Sequence, residues 1–354
     1  MKHLELFSGI GGFRQAIDLV GLDYHIPMNC VGYSEIDSKA VLTYVTNFNT
    51  EGELALGDIV DFTKEVDNIE RLPNFDLLTG GFPCQTFSMM GTKVGFEEDR
   101  GQMFFRIMDI INIKHPSFVL LENVKNLTTH DKGKTLKRIL KELSDAGYHV
   151  HYDVFNTADF GLPQTRNRTL IFARRQELGD FEFNREVVKD NFSAINKNNC
   201  SLNFYNSTID VLDRNVDKKY YLSQRIKPTI LSDGSGNFKS NSEIDKVVAR
   251  TLTASMHKMH RACQDNYYSD IYIESNGAKR PSTWMSKEQL AELPIRRLTP
   301  QEAFMLQGFP ASYASQAHDV GVSDGALYKQ AGNAVSVNTI YAVLSYLVTN
   351  NIIG

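Results

Sequence analysis

The sequence predicts an α/β protein with a doubly wound, mostly parallel sheet and a second, smaller, mostly β domain. Up to about residue 175, short apolar strand patterns alternate with helical periodicity, which is typical of a parallel sheet covered by helices. From about residue 176 the pattern changes. Residues 190–208 are rich in Asn and Ser, as loops are, and the strand patterns that follow are short, with few helices.

The predicted elements of the first part follow in order along the chain. Apolar runs predict strands, and amphipathic spacing predicts helices. Asp37 or Ser38 is placed to cap the second helix, and Gly147 is placed to end the fourth. The predicted strands are residues 4–7, 30–35, 75–79, 118–122, 150–156 and 169–173, and the predicted helices are 13–20, 38–48, 103–113 and 135–146.

Fewer elements are predicted in the second part. Strand patterns occur at residues 247–252 and 271–273. Helical patterns return at 299–306, where Thr299 can cap the helix and Pro300 occupies its first position, and again at 336–348.

Composition argues against several classes of protein. No stretch approaches about 18 consecutive apolar residues and the N-terminus lacks the apolar run of a secretory signal, so we expect a cytoplasmic protein without a membrane span. The four cysteines include no C-x-x-C pair, so neither a metal site nor a disulfide framework is expected.

The charge is unevenly distributed. The net charge of −4 argues against a purely electrostatic nucleic-acid binder. Residues 181–300 nevertheless hold 18 Lys and Arg against 14 Asp and Glu, a net of +4. This is the segment that we expect to face a phosphate backbone.

A glycine loop, Phe7-Ser8-Gly9-Ile10-Gly11-Gly12-Phe13, lies between the first predicted strand and helix. Glycine allows a tight turn and the close approach of a ligand, and the helix N-terminus offers free N–H groups. Because the spacing differs from G-x-G-x-x-G, the loop is compatible with a nucleotide-type cofactor and equally with a structural turn.

Two acidic residues follow the next strand-like segments. Glu35 ends the second strand, where an acidic side chain can accept hydrogen bonds from ribose hydroxyls. Asp58, in Gly57-Asp58-Ile59, could hold an adenine amino group, although an ordinary turn aspartate fits the same position.

A cysteine follows the strand at residues 75–79. Cys84, in Gly81-Phe82-Pro83-Cys84-Gln85, lies at the carboxyl end of that strand, where open α/β sheets bind ligands. Pro83 restricts the turn and helps to present the thiol. A structural cysteine would more naturally lie within an apolar run, so this context predicts a nucleophile.

Two further segments carry charged side chains. Glu122 closes a wholly apolar strand, where it can serve as a proton donor or be a solvated strand end. Arg166 and Arg168, in Gln164-Thr165-Arg166-Asn167-Arg168, point the same way on an extended segment. They can hold a carboxylate, a phosphate or a base carbonyl, or form an ordinary basic turn.

Read in order, these segments resemble the motifs of the cytosine-5 DNA methyltransferase family. Two C-terminal segments resemble the family's ninth and tenth motifs, and the resemblance covers nearly the whole chain apart from about residues 180–290. The matched segments are residues 7–13, 81–85, 122–124, 164–168, 296–302 and 330–335.

The resemblance implies a methyltransferase fold that binds S-adenosyl-L-methionine. It implies a catalytic, cofactor-binding domain at residues 1–180 and 325–354 and a target-recognition domain at 181–324, with DNA between them. The implied cofactor-binding residues are Phe7, Gly9, Gly11, Glu35, Ile36, Asp58, Ile59, Pro83, Met103, Asn333 and Val335.

The resemblance also implies a mechanism. Cys84 would add to C6 of a cytosine that has been flipped out of a specific short duplex sequence. Glu122 would bind the N3 edge and supply a proton, and Arg168 would hold the base carbonyl, with Arg166 in support. C5 would then take the methyl group.

The resemblance implies DNA contacts outside these catalytic positions. Residues 83–102 are similar to the family's mobile loop, and Arg250-Thr251-Leu252 is similar to the Thr-Leu pair of its recognition domains. The implied DNA-binding residues are Gln85, Ser88, Lys93, Arg100, Gln164, Arg250 and Thr251.

The expected partner is double-stranded DNA, with which the protein would be associated in the nucleoid. We expect a monomer, with any cognate restriction endonuclease acting separately. Three alternatives are weighed against this reading. A tRNA cytosine-5 methyltransferase would usually carry Pro-Pro-Cys where this chain has Phe82-Pro83-Cys84, and a non-catalytic DNA-binding homologue would be expected to lack Cys84 or Glu122. A nicotinamide oxidoreductase would leave the cysteine and arginine segments unexplained.

Overall fold

The computed structural model describes residues 1–83, 103–233, 242–258 and 260–353. Cys84 and the predicted loop contacts Gln85, Ser88, Lys93 and Arg100 lie outside these residues.

The strands are short and most of them belong to one sheet. They are β1 (Lys2–Leu6), β2 (Asn29–Ser34), β3 (Leu54–Ala55), β4 (Leu77–Gly81), β5 (Phe118–Val124), β6 (Tyr148–Asn156), β7 (Asn167–Arg175), β8 (Tyr267–Ser269) and β9 (Ile295–Arg297).

The helices alternate with the strands in the first half and follow one another in the second. They are α1 (Gly12–Asp23), α2 (Ser38–Asn47), α3 (Ile59–Phe62), α4 (Val66–Glu70), α5 (Met103–Lys114), α6 (Lys134–Asp145), α7 (Arg185–Ser193), α8 (Lys227–Leu231), α9 (Asp270–Glu274), α10 (Lys287–Glu292), α11 (Pro300–Met305), α12 (Ser312–Asp319), α13 (Asp324–Asn333) and α14 (Val337–Thr349).

The chain forms two compact units. The first unit comprises Met1–Asn156, Asn167–Leu202 and Thr339–Gly354, and the second comprises Thr157–Arg166 and Asn203–Asn338. The predicted domain limits, which divide the chain by role, stay a prediction.

The first unit contains a seven-stranded sheet in the order β3-β2-β1-β4-β5-β7-β6. The pairs among β1 to β5 are parallel, and β7 runs antiparallel to both β5 and β6. The predicted doubly wound, mostly parallel sheet is therefore confirmed, and β1 is an interior strand, between β2 and β4.

Strand β1 buries side chains on both of its faces. Leu4 and Leu6 join an apolar cluster with residues of α3, α4, α5 and α6, including Ile107 and Ile139, which are fully buried. His3 and Glu5 are also fully buried, and they lie on the opposite face because side chains alternate along a strand. The sheet therefore has an apolar face and a face with polar groups at its centre.

Glu5 is stabilised on this second face by residues of the neighbouring helices. The hydroxyl of Tyr44 in α2 donates to Glu5 Oε2 over 3.1 Å. Burial raises the pKa of Glu5 to about 8, and Tyr44 and Arg14 act against that rise. Arg14 itself is paired with Asp18 and Glu53 over 2.9 and 2.7 Å.

The helix boundaries of the first unit follow the sequence signals. Asp37 caps α2 by accepting from the backbone N–H groups of Lys39 and Ala40. Gly147 follows α6 with a φ of 90°, in the left-handed region that glycine adopts without steric cost.

The second unit is built mainly from short helices, 3-10 turns and loops. Its described residues include one antiparallel sheet of two strands, β8 and β9. Helix α11 begins where it was predicted to begin, with Thr299 and Glu302 forming a capping box around Pro300.

Two predicted strands of the second unit are not formed. Residues 271–273 lie in α9, because the Ser269 hydroxyl accepts from the N–H of Tyr272 and starts a helix there. Residues 247–252 include bends at 247 and 248, and among the described residues they form only an isolated bridge, between Ala249 and Gln164.

The segment Asp324–Thr349 is long and apolar enough to cross a membrane by length and composition, with a mean hydropathy of 1.2 in its most apolar window. However, 83% of that window is buried inside the protein. The helix is also interrupted at residues 334–336, and α14 alone extends only about 20 Å against a hydrocarbon core of about 30 Å. These properties are those of a core helix.

Glu5 makes stability depend on pH. The folded state keeps a proton on Glu5 that the unfolded chain loses above about pH 4.5. The contribution of Glu5 to the free energy of unfolding therefore falls as the pH rises from about 4.5 to about 8. Burial lowers the pKa of nearby His3 to about 3. The contribution of His3 to the free energy of unfolding therefore rises with pH, and this rise ends near pH 6.5, the ordinary pKa of histidine. We expect the free energy of unfolding to decrease between about pH 6.5 and 8, and Glu5→Gln to remove most of that decrease.

Urea denaturation of both proteins at several pH values in this interval measures the difference. Equal slopes in the wild type and in Glu5→Gln would contradict the assignment of a protonated Glu5.

Candidate active site

An ion pair lies at the carboxyl end of β5 in the first unit. Arg168 Nε lies 2.8 Å from Glu122 Oε1, and both side chains are largely buried. The pair forms because Arg168 lies opposite Val124 in the β5–β7 ladder, and Glu122, two residues earlier, shares that face.

Each partner of this pair keeps unused hydrogen-bonding capacity. Arg168 Nη1 donates to the backbone carbonyl of Asn167 over 2.9 Å. Among the described residues, Arg168 Nη2 and Glu122 Oε2 have no hydrogen-bond partner. The pair therefore offers one donor and one carboxylate oxygen, in fixed orientation, to a polar ligand.

A buried asparagine fixes the chain just before Cys84. Asn123 Nδ2 donates to the carbonyl oxygen of Phe82 over 2.8 Å, and Asn123 is 2% exposed. In the ladder, Gly81 pairs with Glu122, so β4 and β5 end side by side. The residue two positions before Cys84 is thereby tied to the strand that carries Glu122.

The glycine loop forms an open turn at the end of β1. Gly9 has a φ of 55°, and a Cβ at this position would meet no atom within 4 Å. The Ser8 hydroxyl is buried and has no hydrogen-bond partner among the described residues. An orphaned buried hydroxyl beside an open backbone turn fits a polar ligand bound at this loop.

Gly11 has a different part in the same loop. Its φ is 83°, and a Cβ there would lie 2.2 Å from the ring of Phe48. Gly11 therefore allows close packing at the start of α1, and this structural need is sufficient to explain it.

Glu35 is held in one orientation by backbone N–H groups. Its Oε2 accepts from Gly9 over 2.9 Å, and its Oε1 accepts from Ile36 and Asp37 over 2.9 and 2.8 Å. A carboxylate has about four lone-pair sites, so it retains capacity for a ligand hydroxyl.

The remaining predicted cofactor residues of the first unit divide by exposure. Ile36 is 74% exposed, which is unusual for an isoleucine and leaves its side chain available to a flat apolar ligand. Asp58 caps α3 through Oδ1, which accepts from Val60 over 2.8 Å, whereas Ile59 is 2% exposed and belongs to the core. Phe7 and Met103 are half-buried against that core.

In the second unit, Gln164 is fully buried and both ends of its amide are occupied. Its Nε2 donates to the carbonyl of Leu306 over 2.8 Å, and its Oε1 accepts from the N–H of Leu252 over 3.0 Å. The predicted DNA contact of Gln164 would require the side chain to leave these bonds.

Arg166 is 1% exposed and donates to three backbone carbonyls of the second unit. Nη1 donates to Leu252 over 3.0 Å, and Nη2 donates to Gly332 and Ala334 over 3.2 and 2.6 Å. Arg166 and Arg168 thus have different surroundings although they are two residues apart.

The predicted recognition residues are tied to backbone as well. Arg250 donates to the carbonyls of Asp265 and Glu243 over 3.3 and 2.8 Å, and Thr251 donates to the carbonyl of Thr165 over 2.5 Å. These bonds shape the segment that carries the two residues.

Asn333 and Val335 lie at the C-terminal end of α13 and in the break that follows it. Asn333 is exposed and Val335 is half-buried. Their predicted cofactor contacts, like the other predicted site roles, stay a prediction.

Sequence reasoning missed Arg297. Its guanidinium lies 4.6 Å from the ring centroid of Tyr328, whose hydroxyl donates to the carbonyl of Leu298. The Arg297 guanidinium makes no hydrogen bond or ion pair with the described residues. Arg297 lines a pocket together with Thr251 and His260. The sequence shows that Arg296 and Arg297 are adjacent, but it does not show which of them forms an ion pair. In the structure, Arg296 is fully buried and forms an ion pair with Glu302.

Comparisons with known proteins agree with one another. The family model for C-5 cytosine-specific DNA methylase matches residues 1–349. The type II methyltransferase M1.ScrFI of Lactococcus lactis subsp. cremoris is 37% identical over 97% of this chain and 76% of its own length. The type II methyltransferase M.NlaX of Neisseria lactamica is 35% identical over 97% of this chain and 94% of its own length.

Solved structures show the same fold. A methyltransferase of Entamoeba histolytica matches with a TM-score of 0.72 at 20% identity, covering 99% of this chain and 98% of that one. The Dnmt2 methyltransferase of S. pombe matches with a TM-score of 0.73 at 20% identity, covering all of both chains.

The Asn123 bond can be tested by substitution. We expect Asn123→Ala to lower kcat for methyl transfer by roughly 100-fold, because Phe82 and the chain behind it lose their tie to β5 and a misplaced reacting group costs about that much. Steady-state methylation of duplex DNA measures kcat, and single-turnover methyl transfer shows whether the chemical step itself is slowed.

Asn68→Ala is a matched control, because Asn68 also donates from Nδ2 to a phenylalanine carbonyl, that of Phe62, over 3.1 Å. A similar loss of kcat in the two variants would mean that Asn123 acts only through general stability.

Proposed function

This chain belongs to the C-5 cytosine-specific DNA methylase family and is a DNA (cytosine-5-)-methyltransferase; from that premise we propose how it acts. It takes a methyl group from S-adenosylmethionine and places it on C5 of a cytosine in a specific short duplex sequence. The cytosine is flipped out of the duplex and is held covalently by Cys84 during the transfer.

The observation that carries this proposal is the Glu122–Arg168 pair. Cytosine presents a carbonyl oxygen at C2 next to the ring nitrogen N3. The unused Nη2 of Arg168 can donate to the carbonyl, and Glu122 Oε2 can donate to N3 when Glu122 carries a proton. These two neighbouring side chains can therefore hold the two adjacent polar atoms of the base and orient it.

The chemistry follows from the weak nucleophilicity of C5. The Cys84 thiolate adds to C6 and breaks the C5–C6 π bond, while Glu122 donates its proton to N3, so that no full charge builds up on the ring. The C5 electron pair would then form a bond to the methyl carbon as the bond between that carbon and the sulfonium sulfur breaks, with its electron pair left on the sulfur of a neutral thioether. N3 returns its proton to Glu122. A base then removes the C5 proton, and the C5–C6 double bond re-forms as the Cys84–C6 bond breaks, which regenerates the Cys84 thiolate.

The cofactor is proposed to bind at the glycine loop. S-adenosylmethionine supplies an electrophilic methyl group on a positively charged sulfur. The open turn at Gly9 and the buried Ser8 hydroxyl would accommodate its polar part, and the fixed carboxylate of Glu35 would accept from ribose hydroxyls. Exposed Ile36 would cover the adenine ring, and Asp58 Oδ2 would accept from its amino group.

Flipping is required because a thiol cannot reach C6 inside a base stack, and unstacking costs a few kcal/mol. Phosphate contacts by the basic segment 181–300 would supply part of that free energy. We propose that the protein works as a cytoplasmic monomer associated with the nucleoid through DNA, and that any cognate restriction endonuclease acts separately.

Base-resolution mapping of 5-methylcytosine tests the proposed reaction. The chain is expressed in cells that lack this modification, alongside Cys84→Ala and Glu122→Gln. We expect methylation at one short motif in the wild type, none with Cys84→Ala, and a rate lower by roughly 100- to 10,000-fold with Glu122→Gln.

The covalent step has its own test. A duplex with 5-fluorocytosine at the target position has no C5 proton to lose, so we expect it to trap the wild type, but not Cys84→Ala, as a complex that survives denaturation. If the genome stays unmethylated while tRNA becomes methylated, the DNA substrate is wrong and the protein is a tRNA cytosine-5 methyltransferase, the alternative considered from the sequence.

We further propose that Arg297 contacts a DNA phosphate. Stacking on Tyr328 holds the guanidinium in place while its N–H edges stay available. We expect Arg297→Ala to weaken binding of specific and non-specific duplexes by a similar factor and to reduce the slope of log K against log salt by about 1.

Lys137→Ala serves as the control and should keep the wild-type salt slope, because Lys137 lies outside the basic segment 181–300, is exposed, and its side chain has no hydrogen-bond or ion-pair partner among the described residues. An unchanged salt slope in Arg297→Ala would exclude the phosphate contact.

A further inference from the structure

We propose that Arg166 is a positioning residue that couples cofactor binding to DNA binding. The inference rests on the proposed function and deepens it, because it concerns how the two ligands of the same enzyme influence each other. All of the contacts that carry it lie within the second unit.

The guanidinium of Arg166 joins two segments that are predicted to bind different ligands. Its acceptors Gly332 and Ala334 alternate with Asn333 and Val335, the predicted cofactor residues. Its third acceptor is the carbonyl of Leu252, which directly follows Thr251 in the predicted recognition segment. One buried cation thus fixes the backbone of both segments.

The two segments also touch directly. A Cβ on Gly332 would lie 2.1 Å from the carbonyl carbon of Thr253 and 2.2 Å from the nitrogen of Ala254. Such contacts are possible only because Gly332 has no side chain, so a shift of either backbone moves the other.

The recognition segment is in turn tied to the chain beside Arg166. Ala249 donates to Pro163 over 2.7 Å, and Thr165 donates to Ala249 over 2.9 Å. The Gln164 side chain accepts from Leu252 over 3.0 Å. These bonds leave residues 249–252 little freedom to move independently of Arg166.

A physical consequence follows from this arrangement. A cofactor that orders residues 332–335 also orders residues 249–254 through Arg166, so DNA binds to a segment whose ordering cost has been reduced. Linkage requires the converse effect to be equal, with DNA raising the affinity for the cofactor by the same factor.

The experiment measures this factor in wild type, Arg166→Lys and a matched control. The dissociation constant of S-adenosylhomocysteine, which supports no turnover, is measured with and without a duplex carrying the mapped site. Lysine keeps the charge of Arg166 but cannot bridge three carbonyls. Arg296→Lys is the control, because Arg296 is also fully buried and is bonded to Glu302 and to the carbonyl of Asp213.

In the wild type we expect a coupling factor of about 5- to 150-fold, the usual range for linked sites. Arg166→Lys should bring the factor close to one, whereas Arg296→Lys should lower Tm and keep the wild-type factor. A wild-type factor in Arg166→Lys would overturn the proposal, as would an equal loss in both variants. A wild type that binds neither ligand would instead sink the proposed function.

Hydrogen exchange on the wild type tests the same idea if Arg166→Lys does not fold. We expect S-adenosylhomocysteine alone, without DNA, to slow amide exchange in residues 249–254. Protection confined to other segments, with none at Leu252, would contradict coupling through Arg166.

Discussion

A buried guanidinium must place its N–H donors on acceptors, because an unpaired charge in the interior is strongly destabilising. The two terminal nitrogens of Arg166 meet this requirement by donating to the carbonyls of Leu252, Gly332 and Ala334, which come from two distant parts of the sequence. The buried amide of Gln164 donates to the carbonyl of Leu306 and accepts from the N–H of Leu252. These two side chains thereby fix irregular backbone of the second unit at Leu252, Leu306, Gly332 and Ala334.

In the first unit, the same constraint organises the end of the sheet. Glu122 and Asn123 leave β5 in succession and therefore point to opposite sides. One pairs with Arg168 of β7, and the other holds the Phe82 carbonyl at the end of β4. Three adjacent strands are thus fixed to one another where the chain enters the segment that carries Cys84. Such rigidity is what a reaction between precisely placed atoms demands.

Several side chains in the predicted site are bonded to backbone as well as being candidates for ligand binding. Glu35 accepts from three N–H groups, which fixes its carboxylate but leaves capacity for a hydroxyl. Asp58 caps α3 with one oxygen only. These bonds pre-organise the groups, so that a ligand need not bear the cost of ordering them. Gln164 differs, because its amide has no free end.

The sequence by itself determined the parallel sheet and the order of the motifs along it, because apolar periodicity and capping residues act locally. It also singled out Glu122 and Arg168 as candidate site residues, since both are charged residues at the ends of apolar strands, and the structure shows that they form an ion pair. It did not reveal that residues 271–273 form a helix, because the Ser269 cap outweighs the strand propensity of Ile and Tyr. Nor did it separate Arg166 from Arg168 or Arg296 from Arg297. Only the tertiary structure decided that Arg166 is buried against backbone carbonyls and Arg296 against Glu302, whereas Arg168 and Arg297 keep unused N–H donors among the described residues. The sequence could not decide this, because burial depends on segments that are far apart along the chain.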